Sequence, residues 1–288
     1  VYLRAMPSRS VSAALHALVP PPEADESAYL PAFRAIADLV LNRSTWQIGQ
    51  VPHRIVEIEV YWNGAGHLDT FTHGDPMQRE FGRWYFHRTG GEYRGGTYKG
   101  LDIAFGRADV VAGVLIRGAE RLADGALLDG PCTCVDHLLE QTGQPSIRAL
   151  VDRFDRSIDP PDGGDSPLYL ELTDDRGAAI CESPRVGLTL KRGDLGERAR
   201  FLARPYRFLS EPARIKKGRL HAVIGLARQG LAPPEIAART GSTAAQVNKY
   251  LAQYEAGRRR EPREFVKDLG ADETCQLLGA CDEFAARS

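Results

Sequence analysis

The stretch RIVEIEVYW, residues 54–62, constrains the chain more than any other. As a strand it alternates. Ile55, Glu57, Glu59 and Tyr61 fall on one face, and Val56, Ile58, Val60 and Trp62 on the other. The second face is fully apolar and requires a core beneath it. The first sets two carboxylates beside a phenol. A buried carboxylate costs several kcal/mol unless it is paired, so this face needs cations, a function, or both. The plainest expectation is that Glu57 pairs with Arg54 or Arg117.

Around this strand the chain divides into a mixed front portion and a helical back portion. LPAFRAIADLVL (30–41) has helical periodicity, and residues up to PPPEADES (20–27) read as a loosely held arm. WYFHR (84–88), LDIAFG (101–106), VVAGVLIRGAE (110–120), LYLELT (168–173) and RVGLTL (185–190) read as strands. The segment 64–82 reads as a surface loop, and TGGEYRGGTYKG (89–100), with five glycines, as a set of turns. Helices are expected over 127–143, after a Gly-Pro turn, and over 146–157. Strands and helices are thus mixed over this front portion.

From residue 219 the pattern is helical. EIAARTGSTAAQVNKYL (235–251) has helix-turn-helix spacing, with Ile236, Ala237, Val247 and Leu251 as the inward set. Gly241 ends one helix and Ser242 or Thr243 caps the next. A small all-α helix-turn-helix domain is therefore expected over 219–288, with Gln246, Asn248 and Lys249 facing DNA. Net charge is −1, yet residues 185–219 hold eleven Lys/Arg against three acids. Such a stripe suits a polyanion, and Arg200, Arg204, Lys216 and Lys217 are its candidate phosphate contacts.

Five cysteines form an odd set without zinc spacing and are expected as reduced thiols, with Cys132 and Cys134 packing. Neither a membrane-span nor a signal-peptide pattern occurs, so a cytoplasmic, nucleoid-associated protein is expected. GGEYRGG matches no nucleotide-binding fingerprint, and no metal or organic cofactor is expected.

Four segments in order, RIVEIEVYW, TYKGLDIAFG, GVLIRGAERL with LLDGPCTCVDHLL, and SPRVGLTLKRGDLGERARFLARPYRFL, resemble the alkyladenine (3-methyladenine) DNA glycosylases. The resemblance covers most of residues 30–210, excludes the helical tail, and implies an α+β fold with a curved antiparallel sheet and surrounding helices over residues 1–215. It implies base excision from double-stranded DNA by base flipping, with Glu59 placing the attacking water, Arg117 beside it, and Tyr61 stacking on the everted base. The family's base-flanking histidine falls on His67 or His73, and His73 is favoured. Its duplex wedge falls on Lys99, with Tyr98 adjacent, so either residue can take that place. Two further pocket positions fall on Gly96 and Gly106, which implies a pocket widened for bulky bases, in repair or in defence against modified phage DNA.

A carboxylate at the active position implies a monofunctional glycosylase, while Lys99 leaves a Schiff-base lyase open. The rival is a non-catalytic DNA-binding regulator that senses a modified base.

Overall fold

The computed structural model describes residues 10–21, 24–163 and 166–287. Helices α1 (Val11–His16) and α2 (Glu26–Asn42) lead into strands β1 (Ser44–Ile48), β2 (Val51–Gly64) and β3 (His67–Leu68). Next come β4 (Arg83–Phe86), β5 (Arg88–Thr89), β6 (Glu92–Tyr93), β7 (Leu101–Ala104), β8 (Val111–Arg121) and β9 (Leu127–Asp129). Helices α3 (Pro131–Gln141) and α4 (Ile147–Val151) precede β10 (Leu168–Leu172), β11 (Cys181–Ser183), helix α5 (Leu195–Leu202) and β12 (Arg207–Leu209). The chain continues through α6 (Arg219–Arg228), α7 (Pro233–Thr240), α8 (Ala244–Gly257) and α9 (Ala271–Arg287).

The main sheet runs β10-β1-β2-β8-β7-β4, every neighbour antiparallel. Long β2 is its spine and also carries β12 across residues 57–59. On one face α2 packs down with Phe33, Ile36, Ala37, Val40 and Leu41, the i, i+3, i+4, i+7 stripe of an amphipathic helix. Trp46, Trp62 and Trp84 lie in the same buried cluster. This mixed fold matches the expected α+β class with an antiparallel sheet. No described helix is long and apolar enough to cross a membrane.

The alternation of β2 breaks once. Its register against β8 shifts on either side of Glu57, the mark of a β-bulge. Ile55 therefore joins Ile58, Val60 and Trp62 in the main core, and Val56 turns to the opposite side, into a cluster with Leu209 and Ala222. Strict period-two counting put these two residues on the wrong faces. Past the bulge Glu59 and Tyr61 keep the expected side.

Other expectations give way to side-chain contacts. Residues 10–19 are not a loose arm: Ser10 and Ser12 bond Asp159, and Val11 and Leu15 are buried in the core. Pro22 and Glu23 lie outside the described residues. The segment 64–82 carries buried His67, Asp69 and Gln78 and so is anchored inward. The helix expected over 146–157 stops at Val151. Residues 185–190 form a loop in place of a strand, because the backbone N–H of Val186 bonds a carboxylate and Gly187 adopts φ +80°.

The helical back portion owns no separate core. Ala222, Val223, Leu226, Ile236 and Val247 share a cluster with Val56, Cys181 and Leu209 of the sheet and with Ile215 of the loop before α6. Leu190, Ala199 and Leu202 share another with Ile224, Phe265, Leu277 and Leu278. The backbone of α6 crosses β11 so closely that a Cβ on Gly225 would sit 2.1 Å from the Glu182 carbonyl oxygen. Gly225→Ala is expected to cost roughly 1–3 kcal/mol by overpacking. Calorimetry should show one cooperative transition at lower temperature; an unchanged sheet transition beside a separate helical one would contradict the shared core.

Candidate active site

The polar face of β2 is built from charge pairs. Glu57 is fully buried and accepts from Arg117 Nε at 2.8 Å and Arg207 Nε at 2.6 Å. Desolvation opposes ionisation of this carboxyl, but Arg207 and Arg117 outweigh it and hold the pKa below the usual carboxylate range. Of the two partners the sequence offered, Glu57 takes Arg117, and Arg54 pairs with Glu120 and Glu211 instead.

Glu59, two residues on, is 0% exposed. Its Oε1 accepts from the Val186 N–H at 2.7 Å and lies 3.3 Å from Arg117 Nε. Its Oε2 accepts from the Tyr61 hydroxyl at 2.7 Å. A carboxylate offers about four lone-pair sites, so these three partners fix its orientation and leave acceptor capacity for one more donor. Burial would lower the Arg117 pKa, but Glu59 and Glu57 raise it above the ordinary arginine value. Burial and the adjacent Glu59 keep the Tyr61 phenol protonated, so it remains a donor.

Arg185 stacks over the Tyr61 ring at 4.4 Å and is locked by Asp69 through contacts of 2.5 and 3.1 Å. Phe71 lies 5.6 Å from the same guanidinium, with Arg198 4.2 Å from its centroid. This column of rings and guanidiniums, each contact worth about 0.5–2 kcal/mol, forms a stiff side wall and leaves one Tyr61 face to the cavity.

The cavity has a volume of about 200 Å³. That is below the roughly 300–1,000 Å³ typical of drug-sized ligand sites, and it suits a single heterocycle. The register across β2, β8 and β7 sets Glu59, Leu115 and Asp102 in one row. Neighbouring strands are about 4.8 Å apart, so the two carboxylates stand on opposite sides of the cavity. Asp102 Oδ1 bonds His87 Nε2 at 2.7 Å, and the Gln78 amide approaches Oδ2 at 3.4 Å. The His73 ring packs 4.2 Å from His87 at the open edge. Lost hydration and the neighbouring His87 lower its pKa, which favours a neutral imidazole.

Glu59, Arg117, Tyr61 and His73 therefore converge on the cavity or its floor. His67 is in the core between Trp62 O and Tyr206 OH. Gly96 and Gly106 do not line the cavity. Gly96 is in an exposed turn with open space around it, and a Cβ on Gly106 would sit 2.3 Å from Gln78 O. Neither glycine widens the pocket; Gly106 is small because backbone passes against it. Tyr98 projects from the Gly96–Tyr98 turn with 75% exposure. Lys99 instead pairs with Asp136.

Of the other cavity groups, Asp102 had a sequence signal, an acid inside the apolar run LDIAFG, whereas His87 and Gln78 had none that sets them apart.

Much of the basic stripe turns inward. Arg200 of α5 and Arg204 just after it, both part-exposed, pair with Glu26 at the start of α2. Arg185, Arg207 and Arg214 are likewise paired, with Asp69, Glu57 and Glu120. Lys216 and Lys217 are exposed and pair with no carboxylate among the described residues. On α8, the Gln246 side chain accepts from the Thr243 N–H, Asn248 is exposed, and Lys249 bonds Asp272 of α9 at 2.9 Å. Thr243, rather than Ser242, is the cap. Of the five thiols, all free, only Cys132 is other than buried.

The uncharacterized protein L759 of Acanthamoeba polyphaga mimivirus is 32% identical to this chain over 205 residues, 64% of this chain and 88% of that protein. No protein-family model matches.

Removing one partner of a buried ion cluster leaves an uncompensated charge, at about 3–5 kcal/mol. Arg207→Ala should destabilise the fold by that order in urea titrations, because Glu57 would keep only Arg117 and the α6 entry would lose its anchor. A change below about 1 kcal/mol would show that Glu57 is not held as described.

Proposed function

The chain belongs to one family with the uncharacterized mimivirus protein L759, and for this chain we propose the activity of a monofunctional DNA N-glycosylase acting on an everted, modified base. The observation that carries it is a fully buried glutamate, braced by an arginine and a backbone N–H, at the floor of a cavity sized for one base. The resemblance of the sheet segments to alkyladenine glycosylases supports the same assignment.

In this mechanism a water enters the cavity floor and donates to Glu59. Its oxygen forms the bond to C1′ as the C1′–N bond breaks, and that electron pair leaves with the base. Positive charge that develops on the sugar is stabilised by the Glu59 carboxylate, which takes the water's proton. Glu59 lines the floor of the cavity with one acceptor site left over, and the water takes that site. Exclusion of bulk water strengthens the electrostatics once the base has filled the space.

No lysine lines this cavity among the described residues, which favours hydrolysis over Schiff-base chemistry. The compact volume favours a base of ordinary size over a bulky adduct. Tyr98 is the exposed aromatic suited to enter the gap in the duplex. Asn248 on exposed α8 suits a second contact with DNA.

Incubation with genomic DNAs of differing natural modification, followed by mass spectrometry of released bases, tests the activity. Glu59→Gln is expected to lower release about 100- to 10,000-fold while DNA binding persists. A sensor that does not cut would tolerate that change, and absence of release from every DNA by the unaltered protein would reject the assignment. Tyr98→Ala should weaken binding to an abasic-analogue duplex by about 1–3 kcal/mol, the value of one stacked base, with little effect on single strands; equal losses on both would remove Tyr98 from the wedge role.

A further inference from the structure

A second, larger cavity of about 570 Å³ lies on the other side of the Val186–Leu188 loop from the base-sized one, and the two share those three residues as a wall. It runs between this loop, the start of α6, and the α8–α9 pair. Lys191, Lys216, Arg219, His221, Tyr250 and Lys267 line it.

Its charge is cationic where it meets α6. Lys191 and Lys267 are matched by Asp268 and Glu273, whereas the side chains of Lys216 and Arg219 have no carboxylate partner among the described residues. The first turn of α6 leaves backbone N–H groups without helical acceptors, and its cap, Gly218, supplies no side-chain bond. Two side-chain atoms here also lack partners: Arg219 Nε and Nδ1 of His221, the latter only 7% exposed. The approach to the helix is rigid, since Asp129 Oδ2 accepts from the Lys216 N–H at 2.9 Å and Arg207 donates to the carbonyls of Lys217 and Gly218. Unmatched cations beside a helix N-terminus are the makings of a phosphate site.

We propose that this groove seats a phosphodiester of the strand that carries the target nucleotide, with the α6 N-terminus, Lys216 and Arg219 as its donors. This rests on the glycosylase assignment and adds the path of the strand. A backbone in the groove leaves only the 186–188 loop between it and the base cavity. The same loop gives the Val186 N–H to Glu59 at 2.7 Å, so strand binding and the orientation of the catalytic carboxylate act on one piece of backbone. Tyr250 offers an aromatic face for a flanking base.

The test is the salt dependence of binding to an abasic-analogue duplex, measured by fluorescence polarisation with the full-length Glu59→Gln protein so that the DNA stays intact. Each phosphate contact contributes about 0.9 to the slope of log K against log salt. Lys216→Ala and Arg219→Ala should each make the slope shallower by about 0.9, and Arg219→Lys should retain it. Lys216 is an exposed side chain, so its removal does not threaten folding. Full binding with an unchanged slope in both alanine variants would overturn the groove while leaving the glycosylase assignment intact. Failure of the parent protein to bind or cut any DNA would instead strike that assignment and the groove with it. Lys216-dependent binding of a free nucleoside monophosphate, with the duplex slope unaffected, would give the groove to a small phosphorylated ligand and likewise overturn the strand path.

Discussion

The Arg207 guanidinium bonds Glu57 of β2, Ser183 of β11, and the carbonyls of Lys217 and Gly218 ahead of α6. One buried cation thus joins the central strand to the helical segment through groups that cannot be left unpaired without a large cost. Arg117 completes the cluster from β8 and passes the same charge network on to Glu59. Everything proposed for the site depends on this arrangement, since Glu59 is oriented by the neighbours that Glu57 holds in place.

A second buried pair works in parallel. Arg185 and Asp69, both inaccessible, brace Tyr61 from behind. The loop that follows Arg185 then presents the Val186 N–H to Glu59. Arginine suits both places because its planar fork satisfies several acceptors at once and remains charged when buried. These clusters also explain a composition that looks polyanion-directed in one dimension: most of residues 185–214 is basic because it neutralises acids brought from distant parts of the chain. The cations left over, Lys216 and Arg219 among them, gather where the helical segment meets the sheet.

That junction gives the tail a structural part beyond any contact with DNA. Its helices cover Val56, Cys181 and Leu209, apolar residues that the sheet would otherwise expose. The bulge at Glu57 makes this possible, because it turns Val56 toward α6 while the neighbouring carboxylates keep their side of β2.

Periodicity and residue type alone determined the mixture of strands and helices, the core face of β2 from Ile58 to Trp62, the helices of residues 219–257, and the setting of Glu59 and Tyr61 on one sheet face. Those features are local, repeating every two or 3.6 residues. Only the tertiary structure decided the bulge, the pairing of Arg200 and Arg204 with Glu26, the choice between His67 and His73 at the cavity, and the wall formed by His87, Gln78 and Asp102. The reason is that ion pairs and cavity walls join residues far apart in the chain. Glu57 and Arg207, or His87 and Asp102, carry no mark of their partners until the sheet brings them within 3 Å.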